Sequence, residues 1–118
     1  MTIGSVRTPS ERRTAILACK LTTPELQLRK ATILRSLRGQ LLESRELESG
    51  FGYRFPGSDA MVDELAAFIK TERECCDFLR FTLTVDGDKR SVWLELAGPD
   101  GAKEFILTEL QLTETRHP

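Results

Sequence analysis

Two runs of alternating polarity, FTLTV at 81–85 and SVWLEL at 91–96, are separated by only five residues, DGDKR. A period of two places Phe81, Leu83 and Val85 on one face of an extended segment, and Val92, Leu94 and Leu96 on one face of the next. Asp86-Gly87 supplies turn chemistry, so the pair is expected to form an antiparallel hairpin with one apolar and one polar face. The apolar face has to be covered by something else, and the rest of the chain is read for what covers it.

Helical stripes provide the cover. TTPEL carries the marks of a helix start, with Thr23 as N-cap, Pro24 at the first helical position and Glu25 complementing the dipole. Leu26, Lys30, Ile33, Leu34, Leu37 and Leu41 follow at helical spacing, with Arg29, Arg35, Arg38 and Glu43 on the opposite, solvated face. GFGYRF alternates Phe51, Tyr53 and Phe55 and ends at Pro56-Gly57, which argues a strand. Ser58 or Asp59 can cap a second helix whose buried stripe is Val62, Leu65, Ala66, Phe68 and Ile69. A third helix is expected with Asp100 as its cap and Ala102, Phe105, Ile106 and Leu110 inward. Upstream, TAILACKL reads as a first strand with Leu17, Cys19 and Leu21 on one side.

The expected order is β-α-β-α-β-β-α, an α+β two-layer sandwich in which a small mixed sheet carries its helices mainly on one face. Residues 14–113 form the single domain of this reading, 1–13 a flexible lead-in and 114–118 a frayed tail that includes His117. A chain of 118 residues is long enough for one modest core without disulfides or structural metal. With 17 basic against 18 acidic residues it lacks the charge expected of a nucleic-acid binder. No apolar run approaches the roughly 20 residues of a membrane span and no secretory core opens the sequence, so a cytoplasmic protein, monomeric or homodimeric, is expected. Trp93 alternates away from Val92 and Leu94 onto the other sheet face.

The chemistry-bearing residues are the cysteines, three in number: Cys19 and the vicinal pair Cys75-Cys76. Adjacent Cα atoms lie about 3.8 Å apart and ordinary disulfides want about 4.4–6.8 Å, so a relaxed Cys75-Cys76 bridge is not expected. Two neighbouring thiols at a helix end can instead converge on one soft ion, with a third thiolate from another element completing a trigonal site. Leu65, Ile69, Glu72, Cys76 and Leu79 step by threes and fours, which sets Glu72 on the apolar stripe one turn before Cys76. A carboxylate there is a proton acceptor for a thiol, a ligand or the partner of a buried cation; at the helix rim it would serve only solubility. Phosphate loops, C-x-x-C and H-E-x-x-H are missing, and the only histidine is at the tail, so Cys-His and Ser-His catalysis have no evident base.

ACKLTTPEL, GYRFPG, ERECCDFLRFTL and VWLELAGPDGAKEF together resemble a family of small bacterial proteins marked by ACxLTxxE, ERxCCPFxxF and GPxGxKxF motifs and suggested to handle heavy metals. The likeness spans residues 16 to 107. It implies a three-thiol set carried onto Cys19, Cys75 and Cys76, with Glu72 and Arg73 matching the E-R step as supporting residues. Asp77 departs from the pattern, which has proline there to stop the helix. The leading expectation is therefore binding of a soft metal or metalloid ion such as Hg(II), with no organic cofactor. Two rivals stand beside it: a thiol redox or transfer enzyme using the vicinal cysteines, and an interaction module whose cysteines are packing.

Overall fold

The computed structural model describes residues 23 to 112, and the expected first strand, the lead-in and the tail lie outside them. Helix α1 (Pro24–Gln40) starts as its sequence dictates: the Thr23 hydroxyl accepts from the Leu26 amide at 3.2 Å, and Pro24 occupies the first turn. It ends at Leu41, whose extended backbone leads into a short strand, β1 (Glu43–Glu46). Strand β2 (Gly50–Pro56) follows, then helix α2 (Asp59–Cys75), strands β3 (Arg80–Val85) and β4 (Ser91–Ala97), and helix α3 (Ala102–Phe105). The last helix continues without a break as a π-helical turn, Ile106–Leu110.

The four strands form one sheet in the order β1-β2-β4-β3. All three pairings are antiparallel, where the sequence reading expected a mixed sheet. The two-layer α+β reading holds. Cross-strand partners align the apolar residues on one face: Tyr53 opposite Leu94, Phe55 opposite Val92, Leu83 opposite Leu94 and Phe81 opposite Leu96. Against this face pack Leu34 and Leu37 of α1, Leu65 and Phe68 of α2, and Phe105, Ile106 and Leu110 of the last helix, all buried.

Strand β1 is the element that the sequence conceals. Its residues ESRE contain no apolar side chain, and Glu43 falls in phase with the polar face of α1, so helical spacing extends over it. The tertiary structure decides otherwise because the edge of β2 offers hydrogen bonds and cross-strand charges. Glu43 lies opposite Arg54 and accepts from its Nε at 2.9 Å, and the Leu42 amide donates to the Arg54 carbonyl at 2.8 Å. On the polar face the Arg45 guanidinium stacks 4.0 Å from the Trp93 ring centroid. Gly52 pairs with Arg45 beside this stack, and a Cβ there would meet Arg45 Cγ at 3.5 Å and Trp93 Cε3 at 3.7 Å, ordinary van der Waals contact. The indole thus has its cover within the sheet.

At the β3–β4 hairpin Asp86-Gly87 opens the turn as expected: the Lys89 amide donates to the Asp86 carbonyl at 3.3 Å, and Lys89 itself is left-handed (φ 60). One local expectation is corrected. Helix α3 is entered through Gly101 at φ 93 with no side-chain cap, so Asp100 does not fill the capping role. Ser58, by contrast, caps α2, accepting from the Met61 amide at 3.1 Å.

Candidate functional site

The site is built where α2 ends. Thirteen residues of helix carry the apolar stripe from Asp59 to Thr71, and the stripe does not stop when a carboxylate arrives: Glu72 is 0% exposed and Cys76, one turn later, is also 0% exposed. Helix α2 closes at Cys75 without the proline of the resembled motif. Cys76 leaves the helical conformation (φ −129, ψ 76) while its amide still donates to the Glu72 carbonyl at 2.6 Å, and the Leu79 amide turns back to the Cys76 carbonyl at 3.5 Å. Asp77 is exposed at the turn, so the chain ends its helix by backbone geometry and Cys76 is drawn inward into the core with Leu79.

Neither carboxylate oxygen of Glu72 receives a hydrogen bond of good geometry. Its compensation is ionic: Lys30 Nζ lies 3.6 Å from Glu72 Oε2, with the lysine residue 8% exposed. Burial is the dominant influence on Glu72 and pushes its carboxyl above the ordinary carboxylate range; the charge of Lys30 and the adjoining Cys76 side chain hold it back, and the charge of Glu109 adds to the rise. The sequence left the role of Glu72 open between rim and interior. The structure puts it inside, as the partner of a buried lysine beside a buried thiol.

Lys30 is the functional residue that sequence reasoning missed. The signal was present, since Lys30 stands at an apolar position of the α1 stripe, but a lysine can bury its stem and keep its ammonium wet, so the pattern does not reveal a partner. Arg73, expected as a supporting residue, is exposed in the last turn of α2. The side chain of Cys75 and all of Cys19 lie outside the description. Among the described residues no group of three or more Cys, His, Asp or Glu side chains gathers as a metal site.

Helix α1 packs antiparallel to α2. Gln40 Nε2 donates to Glu64 Oε1 at 3.1 Å near one end, and Lys30 meets Glu72 toward the other. At about 1.5 Å per residue, Thr23 lies about 10 Å beyond Lys30, and Cys76 about 6 Å beyond Glu72 in the same direction. The N-terminus of α1 and the cysteine end of α2 therefore stand at the same end of the molecule.

Searched against protein-family models, curated proteins and solved structures, the chain finds no match. Among the described residues no helix is long and apolar enough to cross a membrane.

Proposed function

We propose that this protein binds a soft metal or metalloid ion, with Hg(II) the favoured species, through thiolates of Cys76, Cys75 and Cys19. The observation that carries the reading is the buried Cys76 side chain lying against the carboxylate of Glu72 at the end of α2. Soft ions take thiolates, and each thiol must lose its proton to bind; a buried carboxylate whose proton affinity is raised is suited to accept that proton or to steer the sulfur. Lys30 keeps the carboxylate in place. Arg73, at the solvent side of α2, would act only on the approach of charge from outside.

Burial of Cys76 in the main apolar cluster favours one rival, in which the thiol is packing and the protein serves as an interaction module. Titration with Hg(II) against a competing thiol chelator separates the two, followed by thiolate-to-metal absorption in the parent and in Cys19→Ser, Cys75→Ser and Cys76→Ser. Three-thiol binding predicts that each substitution weakens retention and that apparent affinity rises with pH as thiol protons are released. Equal retention by the triple variant would overturn the proposal and leave the packing reading.

A further inference from the structure

A groove of about 450 Å³ runs between α1 and the π-helical turn, lined from α1 by Lys30, Ala31, Leu34, Arg35 and Arg38 and from the turn by Glu109. Three cations from one helix face meet a single carboxylate. Like charges three residues apart, as Arg35 and Arg38 are, oppose each other on a helix; Arg38 in the last turn complements the α1 dipole, whereas Arg35 lies before that turn. Lys30 is balanced from behind by Glu72, and Glu109 can balance one arginine, which leaves the groove one positive charge in excess.

The two arginines differ in a way that suits a binding site. Arg38 is fixed: its Nε and Nη2 donate to the Gln111 and Leu110 carbonyls at 3.0 and 2.9 Å, at the end of the π-helical turn. These C-terminal carbonyls carry only partial negative charge, so they orient the guanidinium without neutralising it. Arg35 is exposed and has no ion-pair or hydrogen-bond partner among the described residues. Guanidinium groups receive carboxylate and phosphate oxygens in paired hydrogen bonds, and a group already held in place loses less freedom on binding. Leu34, Ala31 and the arginine stems give the groove an apolar floor. Its far wall is a π-helical turn, a backbone form that frequently marks functional sites.

We propose that this groove binds a small organic anion, whose carboxylate or phosphate is received by Arg35 and Arg38 and whose carbon skeleton rests on Leu34 and Ala31. The site is independent of the cysteines. Amide NMR titration of the full chain at low ionic strength, about 10 mM salt, with inorganic phosphate and with citrate as probes, tests it. Saturating shifts confined to α1 and residues 106–111 are expected, and the stronger of the two probes assigns the phosphate or the carboxylate class. Arg35→Glu should weaken binding at least about tenfold, whereas Arg29→Glu, the same charge change at an exposed α1 position outside the groove, should change it less than about threefold. The triple cysteine variant should bind the probe as the parent does, so failure of the metal reading leaves this result untouched. Absence of saturation with both probes, or equal weakening by Arg29→Glu and Arg35→Glu, overturns the proposal.

Discussion

Replacing Lys30 by Met keeps most of the side-chain stem and removes the charge that faces Glu72. Two limits bound the cost at pH 7. A Coulomb estimate at 3.6 Å with an effective dielectric of about 20 gives about 4.6 kcal/mol. The folded protein has a cheaper escape, because Glu72 can take up a proton. Its ordinary value is 4.5, so holding it neutral at pH 7 costs about 1.4 kcal/mol for each of about 2.5 pH units, a ceiling of about 3.4 kcal/mol. Protonation wins, and since Glu72 already sits above its ordinary range in the parent, the expected loss is about 2–3 kcal/mol.

The sign of the pH dependence follows. A carboxyl raised by burial binds its proton more tightly folded than unfolded, so its contribution is greatest below about 4.5, falls as pH rises toward the folded value, and then levels. Lys30→Met extends that fall to higher pH, because burial and the charge of Glu109 then act on Glu72 with only Cys76 opposing. Urea unfolding at half-unit steps from pH 4 to 8 should show the variant near the parent at pH 4 and about 2–3 kcal/mol below it at pH 7. Adding Glu72→Leu should recover the loss and remove the slope, as replacement of a buried ion pair by apolar groups commonly does. An equal deficit at pH 4 and pH 7 would refute the argument and assign the effect to packing.

Three further outcomes test the fold. Gly50→Ala should cost more than about 3 kcal/mol in chemical denaturation and speed amide exchange in β2 and β4, because a Cβ would clash with the Leu96 carbonyl oxygen and lie 2.7 Å from the Ala97 Cα, backbone atoms that cannot swing aside. Arg38→Met should cost about 1.5–3 kcal/mol and raise exchange selectively in residues 106–112, where two carbonyls lose their donor. Arg45→Ala should shift Trp93 emission to the red while changing stability by about 1 kcal/mol or less; unchanged emission would mean that the stacked guanidinium does not shield the indole.

Much of the fold is legible in the chain because it rests on short-range periodicity. The hairpin register that pairs Val85 with Val92 and Phe81 with Leu96 follows from two alternating runs at fixed separation. The starts of α1 and α2 follow from a hydroxyl placed three residues before a donor amide, at Thr23 and Ser58. Strand β1 was not legible, since ESRE has no apolar side chain to set a period and becomes extended only because β2 presents an edge and Arg54. The π-helical turn was likewise hidden: the apolar positions Ile106 and Leu110 fit an α-helix as well.

Residue spacing alone places Glu72 and Cys76 on one helix face, because that depends only on 3.6 residues per turn, and it places Lys30 among leucines. That this face is sealed follows from packing, since burial depends on what lies against a helix and not on its own period. Packing α1 antiparallel to α2 brings Lys30 to 3.6 Å from Glu72, turning two isolated anomalies forty-two residues apart into one compensated ion pair beside a thiol. A charge removed from water must find its opposite, and no local pattern records which distant residue will supply it.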